Sequence, residues 1–256
     1  MTVIRSQLIG TGYKLPAKIL TNDDLSKMVE TNDEWISTRT GIRSRHIAAE
    51  GETTCDLSYD AALTAIENAG IKNSEIDFVI VATVTPDNTF PATAAKLAKR
   101  LELNPGTPAM DVNAACSGFV YASQIADNMI RLGQVKTALV IGAETLSKIT
   151  DWTDRNTCVL FGDGAGAAIF RLADTPFALT LGARGSDVLH AGGPSREGSA
   201  PITMDGKAVF RFAVDALPKC LHTVLDETRL TLEDLSWVVC HQANSRIIDH
   251  CIKALQ

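Results

Sequence analysis

The chain has 256 residues, 45% of them hydrophobic and 21% charged, with a formal net charge of −6. That is enough apolar material for one sizeable core or two smaller ones, and the mix excludes a disordered, collagenous or membrane-spanning chain. An acidic balance with few aromatics also argues against a nucleic-acid partner, whose phosphates demand a basic face.

No apolar run approaches the ~18 residues of a transmembrane helix, and Met1–Ser6 lacks the layout of a signal peptide, so the cytoplasm is expected. Six cysteines (55, 116, 158, 220, 240 and 251) occur without a C-x-x-C pair, which suits reduced thiols rather than a disulfide framework or a zinc site. An acidic partner would need a local basic patch.

In chain order, Val3 to Gly10 reads as a strand, with Gly10 and Gly12 turning the chain. Thr21-Asn22-Asp23-Asp24 offers a helix cap before Leu25, Met28 and Val29. A short helix from Asn32 to about Thr40 puts Trp35 and Arg39 four residues apart on one face. That pair reads either as a stacking and phosphate-pairing platform for a nucleotide or as a half-buried tryptophan beside a solvated arginine.

Thr53 to Ala69 has helical spacing and stops at Gly70, and Phe78 to Ala82 is a buried strand. A loop over Pro86–Pro91 leads to a helix over Thr93–Leu101. The apolar run Pro108–Val112 predicts another strand, and a helical pattern runs from Ser117 to about Leu132. Cys116 therefore falls at a strand-to-helix turn. A thiol there reads either as a small core residue or as a nucleophile biased towards thiolate by the helix N-terminus.

Ala138–Ala143 is a further buried strand, so the first part of the chain is expected to form a mainly parallel α/β sheet covered on both faces. Gly162-Asp163-Gly164-Ala165-Gly166-Ala167 matches a dinucleotide-binding pattern in letters. The strand-like Ala168–Leu172 that follows fails its context, and a tight glycine turn between two strands is expected instead. A second part begins near Asp174. It should hold a strand over Phe177–Leu181, a glycine-rich loop over Ala191–Ser199, and a helix over Ala208–Thr228 despite Pro218. A strand over Leu235–Cys240, ending at His241, and a last helix over Arg246–Leu255 complete it.

Residues Ile71–Ile80 match Leu230–Val239 in order and type at a constant offset of 159. Two copies of one α/β unit are therefore expected, 1–173 and 174–256. By that offset Gln256 corresponds to Leu97, so roughly 75 residues of the second copy would fall outside this sequence.

Three motifs, Asn113-Ala114-Ala115-Cys116-Ser117-Gly118, Phe161-Gly162-Asp163-Gly164-Ala165-Gly166 and His241-Gln242-Ala243-Asn244, together strongly resemble those of the β-ketoacyl-acyl-carrier-protein synthase III family. The resemblance runs from the first strand through Thr31–Ile36 and Thr38–Ile42 to the last residue. It implies a thiolase-like α/β fold of two pseudo-duplicated halves, the second incomplete here. It implies a cytoplasmic homodimer that loads a short acyl group from acyl-CoA onto Cys116 and condenses it with malonyl-acyl-carrier protein, starting type II fatty-acid synthesis. By the same resemblance His241 assists decarboxylation. Thr31, Trp35, Arg39 and Arg155 would hold the CoA nucleotide, with Arg155 opposite Trp35 across the adenine. Gly206, Phe210, Ala243 and Asn244 would line the pantetheine tunnel, and Phe90 would bound the acyl pocket at the dimer interface. No metal or redox cofactor is implied. A third catalytic residue, an asparagine, should follow His241 by about thirty residues, beyond Gln256.

Helical spacing places Arg246 and Lys253 on one face of the last helix and pairs Lys207 with Arg211 at i, i+4, the expected basic patch for the acidic carrier protein. Two rivals stand beside this reading: a thiolase relative with another acyl acceptor in secondary metabolism, and a catalytically impaired fragment or scaffold. A thiol hydrolase is disfavoured, because neither G-x-S-x-G nor a protease-type cysteine motif occurs.

Overall fold

Helices and strands alternate along the chain much as the apolar spacing predicts. The computed structural model describes residues 5–173, 177–193 and 200–255. The elements are β1 (Arg5–Lys14), β2 (Lys18–Thr21), α1 (Asn22–Leu25), α2 (Asp33–Thr40), β3 (Ser44–Ile47), α3 (Thr54–Ala69), β4 (Phe78–Ala82), α4 (Thr93–Arg100), β5 (Ala109–Val112) and α5 (Gly118–Arg131). They continue with β6 (Thr137–Thr145), α6 (Arg155–Cys158), β7 (Asp163–Ala173), β8 (Leu189–His190), β9 (Thr203–Met204), α7 (Gly206–Thr228) and α8 (Ser245–Leu255).

The chain divides into two compact units, one made of residues up to Lys18, His46–Thr145 and Asp163–Phe177, the other of Ile19–Arg45, Leu146–Gly162 and the residues from Ala178 on. This division differs from the two sequence copies, because segments 19–45 and 146–162 of the first copy join the second unit.

In the first unit a five-stranded sheet has the order β1-β7-β6-β4-β5. It is mixed rather than mainly parallel: β4 pairs in parallel with β5 and β6, whereas β7 lies antiparallel between β1 and β6. All five residues of β4 are buried, as befits a strand covered on both faces. The side chains of β4 and β6 alternate between two layers. Val79, Val81, Leu139 and Ile141 pack with Leu57, Ala61 and Ala65 of α3 and Leu97 of α4. Phe78, Ile80, Ala138 and Val140 pack with Ala122, Ala126 and Ile130 of α5.

Gly10 and Gly12 lie inside β1 and do not turn the chain. A β-carbon at Gly12 would sit 2.3 Å from the Ala61 carbonyl oxygen, and one at Gly10 would sit 2.6 Å from that of Ala65. Their role is to let α3 approach the strand closely. The glycine-rich run at 162–167 likewise enters β7 instead of forming a tight turn, with Gly164 and Gly166 paired to Glu144 and Gly142.

In the second unit Leu25, Ile36, Cys158 and Val159 form a core, with Trp35 and Trp152 partly buried against it. The buried Arg45 guanidinium donates to the Leu20 carbonyl (3.2 Å), Asn22 Oδ1 (2.9 Å) and the Val159 carbonyl (2.9 Å), joining the segments around this core. The helices α7 and α8 pack together, and α7 continues through Pro218.

Two expected strands are absent. Phe177–Leu181 has no regular structure, and neither does Leu235–Cys240. Among the described residues no strand pairs with Leu235–Cys240, whose Trp237 and Val239 are 86% and 87% exposed. A strand pattern without a hydrogen-bonding neighbour does not become a strand. Of the expected glycine-rich loop, Pro194–Ser199 lie outside the described residues. Among the described residues no helix is long and apolar enough to cross a membrane.

Candidate active site

Gly118 decides where the Cys116 turn sits. A β-carbon there would lie 2.9 Å from Ala82 Cβ, so only glycine lets the first turn of α5 settle on the end of β4. Because β5 and β4 are parallel and in register through Ala82 and Val112, the chain leaving β5 is delivered to the same sheet end. It then makes a single 3-10 turn, Ala115–Ser117, with Cys116 at its centre. Ala115 holds φ at 46°, a left-handed conformation that costs a residue with a β-carbon and marks a constrained turn.

Cys116 is exposed, which places a thiol where a substrate can meet it. Its pKa is raised from the usual thiol value, chiefly by desolvation; a backbone hydrogen bond opposes this, and the charge of Glu144 adds to it. The sequence-based expectation of a thiolate bias is thus corrected. The α-helix begins two residues after the cysteine, and local crowding and a carboxylate outweigh its N-terminal field.

Glu144, near the end of β6, is the group that sequence reasoning missed. Its carboxylate accepts from Val84 N–H (2.9 Å), Thr85 Oγ1 (2.5 Å) and Thr83 Oγ1 (3.3 Å). Burial raises its pKa, and these donors pull the other way. The available signal was a carboxylate directly following the apolar run Ala138–Ala143. Phe90 belongs to the same unit and is 84% exposed.

In the second unit, Asn32 caps α2 by accepting from Trp35 N–H (2.7 Å), and Gly41 closes the helix with φ 79°. One turn apart on that helix, Arg39 lies over Trp35, its Cζ 4.6 Å from the ring centroid. Arg155, brought in by α6, lies over the same indole with Cζ at 5.0 Å while donating to the Glu30 carbonyl (2.9 Å). Two guanidiniums on one indole make a cationic aromatic platform suited to a phosphorylated base. Arg155 touches the ring directly, so a base cannot fit between the two without moving it. The Thr31 hydroxyl oxygen, nearby in sequence, is buried without a partner.

The remaining expected residues lie along α7, α8 and the segment before α8. Gly206 opens α7 behind the Asp205 cap, which accepts from Lys207 N–H (3.0 Å) and Ala208 N–H (3.1 Å). Phe210 meets His250 edge to face, with ring centroids 6.1 Å apart. Asn244 Oδ1 accepts from Arg246 N–H (2.9 Å), and Arg246 Nε donates to the Thr38 carbonyl (3.3 Å), tying α8 to α2. His241 and Ala243 are exposed, and desolvation lowers the His241 imidazole below its ordinary value, favouring the neutral ring. Lys207, Arg211, Arg246 and Lys253 are all exposed. Cys116 and Phe90 thus belong to the first unit and all the other expected residues to the second.

Residues 110–185, which span the Cys116 turn and the glycine-rich strand, match the model of the 3-oxoacyl-[acyl-carrier-protein] synthase III family. The chain is 54% identical to the β-ketoacyl-[acyl-carrier-protein] synthase III of Paramagnetospirillum magneticum, over 99% of this chain and 82% of that protein. It is 50% identical to the enzyme of the same name from Rhodospirillum centenum, over 99% and 81%. Among solved structures, 3-oxoacyl-[acyl-carrier-protein] synthase III from Aquifex aeolicus superposes with a TM-score of 0.91 at 44% identity, covering 98% of this chain and 80% of that one. The Pseudomonas aeruginosa counterpart gives 0.92 at 39% identity, with the same coverage. The fold is thiolase-like α/β, and the chain belongs to the β-ketoacyl-acyl-carrier-protein synthase III family.

Proposed function

We propose that this chain is a condensing acyltransferase that moves a short acyl group from acyl-CoA to Cys116 and joins it to malonyl-acyl-carrier protein, the first condensation of type II fatty-acid synthesis. The observation that carries this reading is the exposed Cys116 at a constrained turn between β5 and α5, inside the family's own motif.

In the first step the Cys116 sulfur, having given up its proton, attacks the acyl carbonyl carbon. The bond to the CoA sulfur breaks, and CoA leaves as a thiolate that takes up a proton. Trp35, Arg39 and Arg155 hold the nucleotide, aided by the Thr31 hydroxyl, and Gly206, Phe210, Ala243 and Asn244 guide the pantetheine arm. In the second step the malonyl group loses CO2, and the electron pair of the broken C–C bond forms an enolate. That enolate attacks the acyl carbon and expels the Cys116 sulfur. The His241 imidazole donates a hydrogen bond to the thioester oxygen as negative charge gathers there.

This chemistry needs no metal or redox cofactor, since thioester exchange and decarboxylation supply the leaving groups and the electrons. Lys207, Arg211, Arg246 and Lys253 dock the acidic carrier protein. We place the enzyme in the cytoplasm and read it as a homodimer; the dimer is supported by β5, which ends the sheet with Met110 exposed, and by the exposed Phe90.

Incubation with acetyl-CoA followed by peptide mass spectrometry tests the assignment. The acetyl group is expected on Cys116, and Cys116→Ser should abolish both loading and condensation. Acetyl on Cys55 or Cys158 with Cys116 unmodified would sink it.

A further inference from the structure

We propose that Glu144 is a positioning residue of the nucleophile: its carboxylate clamps the exit of β4 to the end of β6 and stands beside the turn that carries Cys116. The inference rests on reading Cys116 as the acylated residue.

The placement follows from strand alternation. Ala138 and Val140 point to α5, and a β-carbon at Gly142 would lie 3.6 Å from Phe119 Cβ on that same helix. Glu144 is next in the row. Because Gly118 already sits over Ala82 at the strand ends, the row leads past Phe119 towards the Ala115–Ser117 turn. The three donors to the carboxylate come from consecutive residues, Thr83 to Thr85, which leave β4. Thr85 is fixed further: its hydroxyl accepts from Thr145 N–H (2.8 Å), and its carbonyl accepts from Thr54 Oγ1 (2.6 Å).

The other carboxylates on the elements packed around this end have their own partners. Asp163 of β7 accepts from Ala48 N–H, Asp111 of β5 from the Thr93 and Ala94 amides, and Asp127 of α5 from Ser6. Asp56 and Asp60 of α3 pair with Arg100 and Lys14, and Asp87 pairs with Lys96. Desolvation is the main cause that raises the Cys116 thiol, and the charge of Glu144 adds a smaller push in the same direction.

A carboxylate beside sulfur opposes the thiolate but costs a neutral thioester nothing. Glu144 therefore favours the loaded enzyme over the free thiolate and shields the resting thiol from alkylation and oxidation.

Two variants separate charge from clamp. Glu144→Gln keeps the shape, and its amide can donate to the threonine hydroxyls, which accept as well as donate. Glu144→Ala removes both charge and hydrogen bonds. The readouts are the pH profile of Cys116 alkylation by iodoacetamide, with exposed Cys220 as internal reference, and hydrogen exchange at the Val84 and Thr85 amides. In Glu144→Gln, Cys116 should alkylate several-fold faster at neutral pH, with its profile moved to lower pH and Cys220 unchanged. In Glu144→Ala the two amides should also exchange faster. A Cys116 profile in Glu144→Gln that superimposes on the parent's overturns the proposal. Parallel loading with acetyl-CoA separates the two readings: acetyl on another cysteine defeats the nucleophile assignment, whereas acetyl on Cys116 with an unmoved profile defeats only the role of Glu144.

Discussion

Gly70 and Arg229, 159 residues apart, end their helices in the same left-handed conformation, with φ 65°, ψ 31° and φ 57°, ψ 32°. The Gly70 amide donates to the Glu67 and Ile66 carbonyls, and the Arg229 amide to those of Asp226 and Leu225, at that same offset. The next turns agree too, as 3-10 turns at Asn73–Glu75 and Leu232–Asp234. The weak repeat in the letters is thus matched by local conformation at these turns. Glycine occupies this conformation without strain and arginine does not. Arg229→Gly should therefore stabilise the protein by about 0.5–1 kcal/mol, and Gly70→Ala should destabilise it by about 1 kcal/mol or more, in urea unfolding.

The capping carboxylates after these helices predict the acid limb of stability. Glu75 accepts from Lys72 N–H (2.8 Å) and Asp234 from Thr231 N–H (2.8 Å), and these backbone bonds are the main cause that lowers each pKa below 4.5 and 3.8, respectively. A depressed carboxyl contributes stability above its unfolded pKa and loses it as pH falls through the folded value. The urea midpoint of the parent should therefore fall on acidification below about pH 4.5, and Glu75→Gln with Asp234→Asn should flatten that fall. An identical acid limb in the double variant would contradict the assignment.

On the alkaline side the sign reverses. Burial raises the thiols of Cys55 and Cys158 above 9.0, so their contribution is complete below the unfolded thiol value and disappears as pH rises through the folded one. Cys158→Ala should move the onset of alkaline unfolding to higher pH, measured by circular dichroism.

Gly12 permits no side chain. With its β-carbon site 2.3 Å from the Ala61 oxygen and 2.4 Å from the Ala65 nitrogen, Gly12→Ala must push α3 off β1. A cost of about 1–3 kcal/mol or more is expected, read as a lowered melting temperature.

The platform on Trp35 predicts a substrate-specific defect. Trp35→Ala or Arg155→Ala should raise KM for acetyl-CoA about tenfold, the scale of one desolvated stacking or cation–π contact. Acetyl-pantetheine, which lacks the nucleotide, should load at an unchanged rate. Equal loss with both substrates would show that these residues support the fold instead.

For the carrier protein, Lys207→Glu and Lys253→Glu are cleaner probes than Arg246→Glu, because Arg246 also bonds Thr38. Condensation should weaken several-fold, more so at low salt, while acetyl-CoA loading persists. Loss of loading to the same extent would count against docking.

The sequence alone determined what depends on near neighbours. The cap at Thr21, the helix starts at Asn32 and Thr53, the stop at Gly70, the buried runs Phe78–Ala82 and Ala138–Ala143, and the cysteine between strand and helix all follow from periodicity and side-chain chemistry within a few residues. The motifs, read together, also identified the family. What only the tertiary structure decided lies in contacts between distant segments. Gly10 and Gly12 look like turn residues until α3 lies across them, and β7 looks like a glycine turn until it pairs with β1 and β6. Leu235–Cys240 has a strand's composition but no neighbouring strand among the described residues to complete it. Arg155 reaches Trp35, and Glu144 reaches Thr83–Thr85, across long stretches of chain. The thiol's pKa follows the same rule, since the helix field can be read locally whereas desolvation and the charge of Glu144 exist only once the sheet has assembled.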